Sequence, residues 1–350
     1  MRIVVAAAVA GVLLVPQPAS AAPAWKNVKS GVFKRTGAFL HVAAASKTAV
    51  FAIDENGKPF HWNGRKWTAK KSPVKFRPTG LAASGPRSAW AVGFNGIAPV
   101  ALHWNGKNWK KVSYPGAKLG ALNLPVIPLS LSAGRDGAVW SVAGLNSKND
   151  GASVVRRWNG RAFVNVDVAA ANGASLTAVS VRGKDDVWLA GTATANGTQA
   201  VATILHLSGG KWKQVAPSGS WGTIGQAHNI IQEISAVGAK KVWAIRAQNG
   251  GGLLRWNGGA WTEAKTPLIS HYALAPDGGS GAWTIPSPGT GDTRSQYLHW
   301  TGKWQTLRGP SRKQKTAIHD LAQIPGTRQI IAVGGIEDDG KQRPVVEIYR

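Results

Sequence analysis

The sequence predicts an all-β fold, a seven-bladed β-propeller built from four-stranded blades. Two recurring pieces predict it: a hairpin that occurs six times, and a short apolar strand that occurs seven times upstream of it. Consecutive four-stranded units of about 40 to 50 residues are typical of propellers, in which each blade packs between two neighbours. The repeat therefore decides the fold class before any local assignment.

The recurring hairpin consists of two strands joined by an Asn-Gly or related turn. Asn-Gly favours a type I′ turn, in which both central residues have positive φ. The copies span residues 61–67, 103–109, 157–163, 206–212, 255–261 and, one residue shorter, 299–304. A histidine or arginine opens every copy, and its regular recurrence predicts a structural position on the third strand of the blade.

The second piece has the pattern of a buried strand with tryptophan at its second position, and the copies 50–53 and 330–333 are more degenerate. Its copies span residues 50–53, 89–92, 139–142, 187–190, 242–245, 282–285 and 330–333. An apolar anchor of an innermost strand precedes each copy, at Val42, Leu81, Leu131, Val179, Ile234, Leu274 and Leu321. Each unit thus contains four short strands.

The seventh unit lacks its fourth strand. It stops at residues 346–350, with Tyr349 where other units have tryptophan, whereas residues 25–28 match the fourth strand at 109–112. The N-terminal strand 24–28 is therefore predicted to complete the last blade, which leaves no unpaired edge between the first and last units. Residues 22–350 form one propeller domain in this interpretation.

The N-terminus has the pattern of a signal peptide. Arg2 precedes the apolar run 3–15, and residues 19–21 read Ala-Ser-Ala. The run is too short to span a bilayer, and small residues suit a cleavage site. A buried strand would show alternating faces, which this run lacks. Residues 1–21 are predicted to be removed and the protein secreted, and no later segment is apolar enough for a membrane span.

The tryptophans belong mainly to the repeat. It explains sixteen of the 17, at three strand positions where large rigid side chains fill the space between blades. Trp221 alone lies outside the pattern, which makes it a candidate ligand contact.

These repeats resemble the tryptophan-rich propeller repeats of secreted actinobacterial proteins, which are related in architecture to kelch and galactose-oxidase-type propellers. The resemblance extends from Trp25 to Tyr349. It implies the fold and export, but no particular activity, because propellers host many functions.

The chain is strongly basic, with 42 lysines and arginines against 16 acidic residues and a net charge of +26. Such a field attracts anionic polymers, including nucleic acid through non-specific charge. Alternatively, the lysines only keep the domain soluble and guard strand edges. Ten of the basic residues lie in or beside the hairpins and would ring the outer edge and the face opposite the channel loops: Lys66, Lys70, Lys71, Lys107, Lys110, Lys111, Arg161, Lys211, Lys213 and Lys303.

Candidate site residues cluster just before the inner-strand anchors of neighbouring blades. Blades 5, 6, 7 and 1 have charged or aromatic residues there, whereas blades 2, 3 and 4 have Thr79, Ser130 and Thr177. The candidate catalytic residues are His41, Glu233, His271, His319 and Asp320, with histidine as general base and a carboxylate orienting it. The candidate ligand-binding residues are Gln232, Tyr272 and, in the longest linker 216–230, Trp221 and His228. Alternatively, these groups are solvated or hydrogen-bonded within the channel.

Several classes of site are excluded by composition and motif. The absence of cysteine excludes disulfides, thiolate metal sites and the cross-linked cysteine of galactose-oxidase copper chemistry. Residues 54–57 start like a calcium loop but lack the later ligands, and no HExxH or phosphate-binding loop occurs. We therefore predict no metal and no cofactor.

Two functional hypotheses remain. The first is a secreted, non-catalytic binding module for an anionic polymer, acidic glycan or cell-wall component. The second is a secreted hydrolase or lyase with a His, Glu and Asp site at the channel mouth. Salt dependence separates the two, because binding through a basic surface weakens steeply with salt.

Overall fold

A computed structural model describes residues 22–119, 124–144, 153–171, 173–195, 199–215, 230–247, 252–264, 271–286, 292–338 and 340–350. Within these ranges, seven four-stranded antiparallel sheets surround a central channel lined by the first strand of every sheet. The predicted seven-bladed propeller is confirmed. The predicted signal peptide 1–21 lies outside the described residues, and among those described no helix is long and apolar enough to cross a membrane.

The strands of each blade are numbered from the channel outwards. Blade 1 comprises Phe39–Ser46, Ala49–Asp54, Pro59–Trp62 and Trp67–Ala69. Blade 2 comprises Arg77–Gly85, Ser88–Asn95, Ala98–Trp104 and Trp109–Val112. Blade 3 comprises Ile127–Ala133, Val139–Gly144, Ser153–Trp158 and Phe163–Val166. Blades 4 and 5 comprise Ala174–Gly183, Asp186–Ala195, Gln199–Ser208, Lys211–Gln214; and Ile230–Gly238, Lys241–Ala247, Gly252–Trp256, Trp261–Ala264. Blade 6 comprises His271–Pro276, Ala282–Pro286, Arg294–Trp300 and Trp304–Ser311, and blade 7 comprises Thr316–Gln323, Ile330–Asp338, Lys341–Tyr349 and Trp25–Asn27. Two 3₁₀ helices, Gly31–Arg35 and Ala169–Ala171, and a small ribbon of Lys118–Leu119 with Leu124–Pro125 lie between blades.

The N-terminal strand closes the ring as predicted. Trp25 pairs with Tyr349 in the register that joins Trp62 to Trp67 in blade 1. Backbone hydrogen bonds continue on both sides, from Val28 N to Val346 O and between Ala24 and Arg350. The first and last segments of the described chain therefore share one sheet.

The hairpin turns are longer than the predicted type I′ turn, since four residues, 63–66, separate the paired Trp62 and Trp67 in blade 1. Gly64 takes the positive φ, at 90°, as the turn requires of glycine. Asn63 contributes its side chain, whose Oδ1 accepts the N–H groups of Arg65 and Lys66 at 3.0 Å. An asparagine at this position stabilises the turn because its carbonyl replaces a backbone acceptor.

The histidine or arginine of each hairpin packs on the aromatic residue of the second strand. His206 stacks on Trp188 with ring centroids 3.9 Å apart, and His299 stacks on Trp283 at 4.0 Å. Arg255 occupies the same position over Trp243, 5.8 Å from the ring centroid. These contacts join strands 2 and 3 of one blade and give the repeated residue the structural role that the repeat predicted.

Two ends of the channel follow from the antiparallel order. The turn face contains two sets of turns. The turns between strands 1 and 2 are at 47–48, 86–87, 134–138, 184–185, 239–240, 277–281 and 324–329. The turns between strands 3 and 4 are at 63–66, 105–108, 159–162, 209–210, 257–260 and 301–303. Gly106 of one such turn lies against the Arg87 side chain of the other, which places both turns together. The linker face contains the connections between blades and between strands 2 and 3.

Candidate functional site

Described residues of the central channel line one cavity towards each face. The linker-face cavity, of about 510 Å³, is lined by His41, Gln232, Glu233, His271, Tyr272, His319 and Asp320, among residues of all seven first strands. It therefore brings together every described candidate named from the sequence. The candidates lie within the first strands, not in the linkers that precede them. Trp221 and His228 lie outside the described residues.

A β-bulge interrupts the first strand of each blade beside these side chains. The register shifts fall at Phe39/His41, Pro78/Gly80, Pro128/Ser130, Leu176/Ala178, Ile231/Glu233, His271/Leu274 and Ile318/Asp320. A bulge leaves one residue unpaired and turns its side chain away from the regular pleat. Each first strand also has a free edge along the channel, whose backbone groups need partners.

The bulge side chains supply those partners across the gaps between blades. His319 Nδ1 donates to Phe39 O at 2.8 Å, and Thr79 Oγ1 donates to Pro128 O at 2.8 Å. In each pair the donor is the unpaired residue of one blade's bulge, and the acceptor precedes the bulge of the next blade. His319 thus does in blade 7 what a threonine does in blade 2.

The residue after the bulge makes the complementary contact. Asp320 Oδ2 accepts the N–H of Val42 at 2.9 Å, and Ser130 Oγ accepts the N–H of Val179 at 3.1 Å. Glu233 likewise accepts the N–H of Leu274. This bridging role was not predicted from the sequence, although the serine and threonine at the equivalent positions of other blades were its signal.

Blades 5, 6, 7 and 1 place ionisable side chains in the cavity, whereas uncharged threonine and serine side chains make the bridging contacts in blades 2 and 3. His41 Nδ1 lies 3.6 Å from Asp320 Oδ2. Burial raises the pKa of Glu233 to about 8, and the negative charge of Asp320 adds to the effect, against the hydrogen bond from Leu274. Burial lowers the pKa of His271 to about 4. At neutral pH Glu233 is therefore protonated and His271 is uncharged.

Glu233 makes folding stability depend on pH. Between pH 4.5 and 8 the folded protein holds a proton that the unfolded chain has released, so stability falls as the pH rises. Glu233→Gln should therefore gain about 1–3 kcal/mol relative to the unmodified protein between pH 6 and pH 8. Urea unfolding at the two pH values measures this difference. The exposed Glu337→Gln serves as control, and an equal response of both variants would contradict the prediction.

The turn-face cavity has the opposite chemistry. It measures about 800 Å³ and is lined by Arg135, Arg182, Lys241 and Arg328, and none of its described lining residues is acidic. Arg182 pairs with Asp186, whereas the other three cations form no ion pair within the described ranges. These three side chains are exposed and come from blades 3, 5 and 7. An anion placed at this mouth would face cations from several directions.

A third cavity lies outside the channel, between blades 7 and 1. This groove of about 1280 Å³ includes Lys34, Lys58, Lys75, Lys341 and Arg343, together with the carboxylates of Asp54 and Glu55. Asp54 is buried and accepts the N–H groups of Asn56 and Lys58, which makes it part of the local turn. The mixed charge distinguishes this groove from the turn-face cavity.

Two buried charged side chains, Arg156 and Glu347, were not identified from the sequence. In the third strand, the position before the repeated histidine or arginine is leucine in blades 2, 4, 5 and 6, but it is Arg156 in blade 3 and Glu347 in blade 7. Both side chains are fully buried. The guanidinium of Arg156 lies 4.4 Å from the Tyr114 ring centroid and has no hydrogen-bond partner in the described structure. A position-by-position alignment of the repeats would have revealed both.

The described residues contain no group of three or more His, Asp or Glu side chains that could hold a metal ion. The linker-face cavity brings His41 close to Asp320, and bridging contacts to backbone N–H groups engage both of its carboxyl groups, Asp320 and Glu233. The arrangement suits hydrogen bonding to a polar ligand.

Comparison with known proteins leads to the fold alone. No family model and no curated protein matches the chain. Among solved structures, it is similar to YCF48 bound to D1 peptide, with a TM-score of 0.58 and 14% identity over 96% of this chain and 97% of that one. It is also similar to YCF48 from Cyanidioschyzon merolae (TM-score 0.55, 17% identity, 93% and 98% covered) and to the RRP9 WD40 repeats (0.58, 12%, 93% and 98%). The chain therefore shares the β-propeller architecture of these proteins.

Proposed function

We propose that this protein is a secreted binding module that holds an anionic extracellular polymer, such as an acidic glycan or cell-wall component, on its turn face. The observation that carries the proposal is the turn-face cavity, where Arg135, Lys241 and Arg328 converge without an acidic neighbour in the wall. Propellers of similar fold support binding as a role, since one YCF48 structure is bound to D1 peptide.

The turns around this cavity extend the positive surface. Six of the seven turns between strands 1 and 2 carry a lysine or arginine, at Lys47, Arg87, Arg135, Lys184, Lys240 and Arg328. The hairpin turns add Arg65, Lys66, Lys107, Arg161 and Lys303. Asp277, an acidic residue of this face, hydrogen-bonds to His299 and to two turn N–H groups. Distributed cations of this kind suit a polymer with repeating negative charge.

Binding is favoured over catalysis because candidate catalytic side chains of the channel already hydrogen-bond to the backbone. Both carboxylate oxygens of Asp320 accept backbone N–H groups, from Val42 and Leu321. Nδ1 of His319 is bonded to a backbone carbonyl. A hydrolase or lyase site in the linker-face cavity is the alternative. It predicts that His319→Ala or Glu233→Ala abolishes turnover in a folded protein.

Export is part of the proposal. The charge and apolar run of residues 1–21 support it, as does the resemblance to secreted tryptophan-rich repeats. Mass spectrometry of the protein recovered from culture medium tests it, and a mature N-terminus at residue 22 is the expected result.

Charge reversal on the turn face tests the anionic ligand. Arg135→Glu, Lys241→Glu and Arg328→Glu together should weaken binding to polyphosphate and dextran sulfate at least tenfold, and should flatten the salt dependence by about two units of log–log slope. Fluorescence anisotropy between 50 and 200 mM salt measures both. Neutral dextran should not bind.

The matched control changes the same net charge elsewhere. Lys34→Glu, Lys75→Glu and Lys341→Glu remove three exposed lysines of the groove between blades 7 and 1. We expect a loss of less than threefold from this control. Equal losses from both triple variants would mean that net charge alone acts, and salt-insensitive binding would overturn the proposal.

A further inference from the structure

The two sides of the linker-face cavity differ in whether their polar groups are already used. In blades 2 to 4 the side chains bridge to the next blade: Thr79 to Pro128, Ser130 to Val179, and Ser180 to Ala236. In blades 5 and 6, Gln232 and Tyr272 make no side-chain hydrogen bond within the described structure. Nε2 of His271 is buried and unpartnered there as well. The free hydrogen-bonding capacity is thus concentrated on one wall.

This wall carries little charge. Among the described residues that line the cavity there is no lysine or arginine, although the protein has a net charge of +26. Glu233 has a pKa of about 8 and is protonated at neutral pH, and His271 has a pKa of about 4 and is uncharged. The remaining carboxylate, Asp320, is stabilised by two backbone N–H groups and lies beside His41. An anionic ligand would face Asp320 without a cation in the wall to compensate.

An exposed aromatic ring borders the same wall. Tyr272 is 49% exposed, one of few large apolar side chains with such exposure among the described residues. Its ring offers an apolar surface beside donors and acceptors, and an exposed aromatic of this kind marks a contact site in many proteins. The volume of about 510 Å³ is ordinary for a small-molecule pocket.

We propose that this wall of the channel, formed by Gln232, Glu233, His271 and Tyr272, binds an uncharged saccharide. Sugar hydroxyls both donate and accept, which matches an amide, a carboxylic acid and an imidazole nitrogen that each lack a charge. The C–H face of a sugar ring packs on the Tyr272 ring. His271 is buried, and leaving its Nε2 unpaired is costly, which favours a hydroxylated ligand over an apolar one. The proposal is independent of polymer binding at the turn face.

Calorimetric titration of the mature protein tests the proposal. The probes are glucose, galactose, mannose, fucose, N-acetylglucosamine and their β-1,4-linked disaccharides, each at 50 and 500 mM NaCl. At least one should bind with a Kd that changes less than twofold between the two salt concentrations, since no ion pair is formed. Tyr272→Ala and Gln232→Ala should each weaken that binding at least tenfold.

Two controls separate the site from general effects. Ile97→Ala removes an apolar side chain that is 73% exposed and lies outside the cavity, so it should leave the Kd unchanged. Tyr272→Phe keeps the ring and should retain binding within about threefold, which shows that the ring face is used. Thermal unfolding of each variant verifies folding.

Three results would overturn the proposal. The first is that no sugar of the panel binds. The second is that Tyr272→Ala binds as tightly as Ile97→Ala. The third is that sugar binding disappears at 500 mM NaCl and in the Arg135, Lys241 and Arg328 triple variant, because the ligand would then occupy the turn face.

Discussion

Replacing Trp25 with alanine is expected to lower the free energy of unfolding by about 3–5 kcal/mol, as for other large aromatic side chains removed from a core. Trp25 is 6% exposed and stacks on Tyr297 with ring centroids 3.7 Å apart and planes within 13°. It also meets the edge of Trp283 at 5.5 Å. The residue anchors a strand of only three residues, so few other contacts hold this strand in place.

The expected loss is a large share of the stability of an ordinary domain, which is about 5–15 kcal/mol. It should therefore open the last blade, since the remaining edge of Lys341–Tyr349 loses its partner strand. Guanidinium unfolding followed by tryptophan fluorescence measures the loss, with hydrogen exchange at residues 345–350 as the local signal. Trp25→Phe, which keeps a ring against Tyr297, should lose markedly less. If Trp25→Ala behaved like the exposed Ile97→Ala, closure by the N-terminal strand would contribute nothing to stability.

Breaking the buried ion pair of Glu347 and Arg312 is expected to cost about 3–5 kcal/mol when one partner is removed, because the other charge remains buried. Glu347 is fully buried, and its carboxylate accepts hydrogen bonds from Ser295 Oγ at 2.7 Å and Tyr297 Oη at 2.8 Å. Arg312, whose side chain is 11% exposed, contacts both Glu347 and Asn27. The pair therefore joins the last strand, the first strand and the linker between blades 6 and 7.

A double-mutant cycle isolates this pair. Glu347→Gln keeps an oxygen for the two hydroxyls but removes the counter-charge of Arg312, and Arg312→Met removes the cation. We expect each single variant to be strongly destabilised and the double variant to lose less than their sum, with a coupling of about 1–3 kcal/mol. Urea unfolding measures all four proteins. Arg343→Met, which removes a 60% exposed arginine that pairs with the half-buried Asp338 in the same blade, should cost less than about 1 kcal/mol. Additive losses at Glu347 and Arg312 would contradict the predicted coupling.

The blades and their closure could be predicted from the sequence because their determinants are local. A turn such as Asn63-Gly64 and a strand such as 89–92 are specified by neighbouring residues, and repetition makes a weak local pattern strong. The match of Trp25 to the fourth-strand tryptophans predicted the closure in the register that the structure has. Stacking of His206 and His299 on second-strand tryptophans follows from the same repetition.

The candidate site could be predicted only as a set of polar positions. Comparison of the repeats with one another placed His41, Glu233, His319 and Asp320 beside the inner-strand anchors. The linker-face cavity contains all four. Their partners were beyond prediction, because each bridging bond joins blades that are distant along the chain. Asp320 and Val42, for example, are 278 residues apart. The number of free hydrogen-bonding groups on each wall therefore depends on the closed ring.

By itself the sequence determined the blade number, the strand order and the closing strand, since local turn chemistry and repeated apolar positions specify these features. The tertiary structure alone decided which charges become buried or neutral. Glu233 is protonated at neutral pH because the closed channel surrounds it and places Asp320 near it. Glu347 and Arg312 tolerate burial because ring closure brings them together. Desolvation and charge pairing depend on distances in space, which a linear pattern does not contain.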